Sequence, residues 1–318
     1  MSVAEPFATD SQAQDEAIER GASYGRTPQS IIWLASYPKS GNTWIRVFAH
    51  NLIKELSGSS QTQNINRLHE HTGWEFGAKP FEAVLQKPFA EASHQELAQA
   101  RPGAQAWLAG SRKGPFLTKT HLCVGREFGI PTINLDVTLA AIYVVRNPLD
   151  VAISFAHHLS EPVDNVIAKM AQDNFTTANR ERHVYEIMGS WSQHVASWIG
   201  IFNRPIHIMR YEDMLAHPEH SFGALARFLG LDPTQEQLKS AIAKSSFAEL
   251  KRQESERGFR EKPPNAESFF REGTSGQWVK ALSPTQVQNI VRAHAPMMQR
   301  FGYVQPSCGM PIRVGPPF

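Results

Sequence analysis

A chain of 318 residues, 41% hydrophobic and 19% charged, is long enough for one large α/β domain with a substantial core. A formal charge of only +2 excludes a polybasic nucleic-acid binder or a membrane-surface protein, so any basic site is local. Cys123 and Cys308 alone provide neither a disulfide framework nor a paired-cysteine metal motif, and no run approaches the ~18 apolar residues of a membrane span, so the expected location is the cytoplasm.

Residues 1–28 are polar and acidic and read as a flexible arm. A single domain is expected over 29–303, followed by a Pro/Gly-rich tail over 304–318. Ile31, Ile32, Trp33 and Leu34 suit a buried strand, and Trp44, Val47, Phe48, Leu52 and Leu56 recur at helical spacing. Between them lies a compact loop with Pro38, Lys39, Ser40 and Gly41. Residues 57–114 are weakly patterned, and short helices and loops are expected there rather than sheet. Their aromatics, from Trp74 to Trp107, anchor loops or line a pocket for an apolar ligand.

Residues 115–123 read as a second strand, ending in Lys119, Thr120 and His121. Residues 139–145 (LAAIYVV) are the clearest strand, stopped by Arg146, Asn147 and Pro148, with Asn147 as helix cap and Pro148 at the first helical position. Two helices are expected over 164–200, the second burying Trp191 and Trp198. A strand over 205–211 leads into a helix carrying Phe222, Leu225, Phe228 and Leu229. An amphipathic helix over 235–250, a long lid-like loop over 251–280 and a last helix over 284–301 complete the chain. Strands alternating with helices predict an α/β fold with a central parallel β-sheet flanked by helices.

The strand–loop–helix unit at 31–56 makes an anion cradle, because freed backbone N–H groups and the positive end of a helix dipole converge where Lys39 adds a full charge. It is not a GxxxxGK[ST] loop, since Lys39 precedes the single glycine. Arg146 lies at the carboxyl end of a buried strand, where open parallel sheets bind ligands. Ser154 follows about two helical turns later by the ~3.6-residue period. Arginine forks match phosphate oxygens and serine adds a donor, so this pair either holds a second phosphate or is a surface arginine with an ordinary helical serine, the reading preferred without further motifs. Two phosphate sites suggest a nucleotide phosphorylated at both ends of its ribose.

These segments resemble the sulfotransferases that use 3′-phosphoadenosine 5′-phosphosulfate (PAPS). YPKSGNTW is similar to their 5′-phosphosulfate loop, YVVRNPLDVAISF to their 3′-phosphate motif, and TKTHL to the segment with the catalytic histidine. RYEDM and KSSF resemble adenine-side segments, and FFREGTSGQW resembles the late loop that closes on the 3′-phosphate. The six pieces occur in family order, and the soluble, cytosolic type fits best.

The resemblance implies a P-loop-NTPase-like sulfotransferase fold. It places Lys39, Ser40, Gly41, Asn42 and Thr43 on the phosphosulfate and Trp44 near adenine. Arg146 and Ser154, with Arg271, Glu272 and Gly273, would hold the 3′-phosphate, and Tyr211, Ser245, Ser246 and Phe247 would complete the adenine pocket. His121 would be the general base, with Lys119 beside it and Lys39 acting on the leaving phosphate. PAPS would be the sulfuryl donor and PAP (3′-phosphoadenosine 5′-phosphate) the product, with no metal required. Glu272 stands where many relatives have lysine, which bears on nucleotide affinity. The dimerisation motif KxxxTVxxxE is absent from VKALSPTQVQN, so a dimer through that segment is not supported and the oligomeric state stays open.

The expected reaction is sulfuryl transfer to a hydroxyl of a small, apolar alcohol or phenol. The alternatives are an ATP-dependent small-molecule kinase, disfavoured by the missing phosphate-loop motif, and a non-catalytic nucleotide-binding protein of the same fold. His157 and His158 are expected on the surface.

Overall fold

In the computed structural model, residues 29–305 are described; the expected N-terminal arm and nearly all of the expected tail lie outside them. The main sheet contains β1 (Ile31–Ser36), β2 (Gly73–Trp74), β3 (Phe116–Thr120), β4 (Thr138–Val145) and β5 (Ile206–Arg210), ordered β2-β3-β1-β4-β5. Every pairing is parallel.

β1 is buried along its whole length, which is why it reads as a continuous apolar run rather than an alternation. Ile31, Trp33 and Ala35 face a cluster containing Trp191, Trp198 and Val291. Ile32 and Leu34 face the opposite layer, against Ile45, Phe48 and Phe222. The helices are α1 (Asn42–Leu56), α2 (Ala78–Leu85), α3 (His94–Gly110), α4 (Pro148–Leu159), α5 (Val163–Ala171), α6 (Trp191–Ala196), α7 (Tyr211–Ala216), α8 (Pro218–Phe228), α9 (Gln235–Lys244), α10 (Phe247–Arg257) and α11 (Pro284–Arg300), apart from single turns. Among the described residues no helix is long and apolar enough to cross a membrane.

Four local expectations are corrected. Gly73–Trp74 does join the sheet, pairing with Thr118 and Lys119 of β3. α3 is a 17-residue helix, started by a reciprocal Ser93–Glu96 capping box and tolerating Pro102 within it. The helix expected over 235–250 is two helices, because Ser246 caps a new one by accepting the Glu249 N–H, and α10 takes residues 251–257 from the expected loop. The second helix expected before residue 200 is confined to α6 and a following π-helical turn, with 172–190 largely irregular. Trp191 and Trp198 are fully buried, as expected. A small hairpin, Arg126–Glu127 against Ile130–Pro131, went unread in the sequence.

β1 is flanked by β3 on one side and β4 on the other, so the strand order switches direction there. Ligands of open α/β sheets bind beyond the carboxyl ends of the strands at such a point. The register sets Ala35 opposite Thr120 and Ser36 opposite Val144. The residues following three strands, 37–41, His121 and Arg146, therefore emerge along one edge.

Candidate active site

A cavity of about 830 Å³ opens at this edge. Its floor is the loop between β1 and α1. Lys39 and Gly41 have φ of 66° and 113°, the left-handed region. A Cβ at Gly41 would lie 2.9 Å from Tyr211 Cδ2, so glycine is needed both for the turn and for the close approach. α1 begins without a side-chain cap and without an acidic residue in its first turn, leaving its first N–H groups and positive dipole end for a ligand. The Asn42 amide instead straps the helix to the sheet, donating to the Leu34 carbonyl (2.9 Å). Trp44 Nε1 and Arg146 Nε, on residues that line the cavity, and Ser40 Oγ, on a fully buried residue that does not, have no hydrogen-bond partner among the described residues. Lys39 Nζ sits 3.9 Å from the centroid of the Phe269 ring. Burial, with Arg146 and Lys119 nearby, pushes the Lys39 ammonium down to about 7.

Arg146 joins three parts of this end. It donates to the carbonyls of Lys39 (3.0 Å) and Thr274 (3.1 Å), and its guanidinium lies 4.3 Å from the Tyr211 ring centre. Ser154, two turns along α4, lines the same cavity, as do Trp44, Tyr211, Ser246 and Phe247. Trp44 meets Tyr211 edge-on at 5.8 Å. Arg271, Glu272 and Gly273 close over this end from the late loop. Gly273 has φ 65°, and a Cβ there would collide with the Phe247 ring. The loop is fixed from below by Asp150, which accepts the N–H groups of Gly276 (2.7 Å) and Trp278 (3.1 Å). Arg271 is held by the side chains of Glu272 and Gln277.

Ser245 is a correction. It is fully buried outside the cavity lining, donating to the Ala241 carbonyl (2.6 Å) and accepting from Asn51 (3.1 Å), so it fixes the α9–α10 corner.

At the other end, His121 follows β3. Its Nδ1 donates to the Ser36 carbonyl at 2.6 Å, since a carbonyl can only accept, and this leaves Nε2 as the acceptor nitrogen. His121's backbone is also held: its N–H donates to Glu186 Oε1 (3.1 Å) and its carbonyl accepts from His194 Nε2 (3.1 Å). His194 Nδ1 in turn accepts from the Tyr143 hydroxyl (2.8 Å). Burial, and then Lys119, hold the His121 imidazole well below its ordinary value, keeping it neutral. Lys119 lies 5.6 Å from the Phe76 ring centre and 3.5 Å from Glu261, which also pairs with the fully buried Arg46 at 2.5 Å.

Trp74 and Phe76, stacked with centroids 5.7 Å apart, line this end. Phe81 and Phe89 pack instead in a separate cluster with Leu97 and Tyr185, and Trp107 is partly exposed away from the cavity. His157 is exposed as expected, but His158 lines the cavity, and burial followed by Lys39 pushes it down to about 3. Arg46, Glu186, Glu261 and Phe269 were not singled out in the sequence. Only an unexplained charge inside an otherwise apolar or lid segment marked the first three, and Phe269 was quoted only as part of the late-loop segment FFREGTSGQW. Among the described residues no group of three or more His, Cys, Asp or Glu is placed to hold a metal ion.

The family model described as "Sulfotransferase domain" matches residues 29–302. The chain is 24% identical to Sulfotransferase 1A1 of Canis lupus familiaris over 308 residues, covering 94% of this chain and 90% of that protein. It is 27% identical to Cytosolic sulfotransferase 15 of Arabidopsis thaliana over 293 residues, covering 87% and 75% respectively. Among solved structures, retinol dehydratase in complex with androsterone and the inactive cofactor PAP aligns with a TM-score of 0.59 at 19% identity, covering 89% of this chain and 85% of that one. Mouse sulfotransferase SULT7A1 complexed with PAP aligns with a TM-score of 0.54 at 19% identity, covering 91% and 90%. These structural likenesses establish the fold.

Proposed function

The chain belongs to the sulfotransferase-domain family, a PAPS-dependent enzyme family, and from that membership we propose how its cavity transfers a sulfuryl group to the hydroxyl of a small acceptor. The observation that carries the reading is the pairing of His121 Nε2, left free by the Nδ1–Ser36 bond, with the Lys39 cradle in one cavity.

The nucleotide end fits a doubly phosphorylated ligand. The loop of Lys39, Ser40, Gly41, Asn42 and Thr43 and the uncapped start of α1 would take the 5′ end. Arg146, Ser154, Arg271 and the backbone around Glu272 and Gly273 would take the 3′-phosphate. Trp44, Tyr211, Ser246 and Phe247 would border the adenine. Arg146 need only exchange its two carbonyl acceptors for phosphate oxygens, a stronger charge-assisted bond.

When bound, PAPS supplies the sulfuryl group, whose S–O bond to phosphate breaks as the acceptor oxygen bonds to sulfur. His121 Nε2 takes the acceptor's hydroxyl proton, and the neutral imidazole needed for this is favoured by its burial. The Lys39 ammonium, restored to full charge beside an anion, stabilises the negative charge that collects on the departing phosphate oxygen. Lys119 adds positive potential beside His121 while held by Glu261. Trp74, Phe76 and Phe269 would exclude water and flank an apolar or aromatic acceptor.

Transfer of label from sulfur-labelled PAPS to a panel of alcohols and phenols tests this directly. His121→Ala should slow transfer on the order of 100- to 10,000-fold while leaving PAP affinity within a few fold. Full activity in that variant would remove His121 as base. Tighter binding of ATP than of PAP, with no sulfate transfer, would instead favour the kinase reading.

A further inference from the structure

The carboxylates lining the cavity are not equivalent. Glu161 is paired with Lys169 (2.5 Å), Glu261 with Arg46 and Lys119, and Glu272 with Arg271. Glu186 has no such cation among the described residues. Among the described residues its side chain makes one hydrogen bond, Oε1 accepting from the His121 N–H at 3.1 Å. That bond fixes the carboxyl beside the base, and its own backbone N–H is pinned by Thr177 Oγ1 at 2.8 Å. The rest of the carboxyl faces the cavity.

We propose that Glu186 is a specificity-determining residue that selects acceptors carrying a second O–H or N–H donor beside the reacting hydroxyl. The inference rests on the sulfuryl-transfer reading above and extends it to the acceptor class. Glu186 is half-buried and lines the cavity, so an acceptor that displaces water from its carboxyl leaves that oxygen unpaired unless the acceptor brings a donor of its own. Sites built to hydrogen-bond a polar group reject analogues without it much more strongly than apolar pockets reject a missing methylene. Burial, and then Glu75, push the carboxyl up to about 7 against the opposing pull of Lys119 and the His121 N–H. The flat Trp74–Phe76 stack on the same wall suits a ring, so an ortho-substituted phenol satisfies both features.

Phenol, catechol and 2-aminophenol form a matched set for the test. Their binding to PAP-loaded protein is measured by calorimetry, and their sulfation by steady-state kinetics, in the wild type, Glu186→Gln and Glu186→Ala. The expected result is that wild-type protein favours catechol or 2-aminophenol over phenol by at least about tenfold in affinity and in kcat/KM, carried by KM. A larger gain for catechol assigns an O–H donor, and for 2-aminophenol an N–H donor. Both variants should bring the ratio to within about threefold of unity. PAP affinity reports whether each variant is folded. Glutamine keeps an oxygen for the His121 N–H but presents an NH2 group to the cavity, so it separates selection from support of the base.

Equal handling of the three acceptors by the wild type would overturn the proposal. So would variants that lower all three by one common factor, which would confine Glu186 to holding His121. Retained PAP binding with no transfer to any hydroxyl would overturn the sulfuryl-transfer reading as well.

Discussion

Lys39 is the residue whose ionisation most directly links the cavity to its ligand. In the free protein its ammonium is pushed down to about 7 by burial and by Arg146 and Lys119. A bound phosphate group favours the charged form, so above pH 7 the complex holds a proton that the free protein has lost. PAP affinity should therefore fall as pH rises from 7 to 9, by up to about tenfold per unit, with proton uptake visible when calorimetry is repeated in buffers of different ionisation enthalpy. Lys39→Met should bind more weakly and lose that part of the slope. An unchanged slope would show that Lys39 does not face the nucleotide. Lys39, Gly41, His121 and Arg146 were legible in the sequence because each lies within five residues of a strand end and sits in a contiguous motif. Glu186, Glu261 and Arg46 were not legible. Their partners lie 65, 142 and 215 positions away or at similar distances, and only the tertiary fold brings them together.

At the scale of elements, the segment after α10 carries Glu261 and Phe269 over the cavity. Glu261 places its carboxylate between Arg46 and Lys119, with the Arg46 side chain fully buried and Glu261's only 10% exposed. Removing one partner of a buried ion pair leaves an uncompensated charge, costing about 3–5 kcal/mol. Glu261→Gln should lower the urea midpoint accordingly and make Arg260 and Lys262 more rapidly cleaved by trypsin. No change in either would mean that the pair does not hold the segment down. The strands were readable because β-branched apolar runs end at Gly, Pro or charged residues. α3 was not, because its Gln/Ala-rich sequence is weakly amphipathic and contains Pro102 and Gly103. β2 is two residues long, too short for any periodicity to register. The α9–α10 boundary rests on the Ser246 cap and the Asn51 bond to Ser245, and the second of these crosses 194 positions.

At the scale of the whole molecule, the switch of strand order at β1 sets the Lys39 loop and His121 side by side. β1 leads into the Lys39 loop, β3 into His121, and β4 into Arg146, so one sheet edge aligns all three. The hydrogen bond from His121 to the Ser36 carbonyl joins two of these strand ends and orients the imidazole at the same time. Solved proteins with 19% identity share the architecture, so the fold accommodates different residues at most positions. The crystal structure of the protein with PAP is the most direct test. It is expected to show the 5′-phosphate on the Lys39–Thr43 loop within reach of Lys39, the 3′-phosphate between Arg146, Ser154 and Arg271, and His121 Nε2 facing the 5′ end. A nucleotide bound outside this cavity, or reversed so that its 5′-phosphate lies away from His121, would contradict the proposed arrangement.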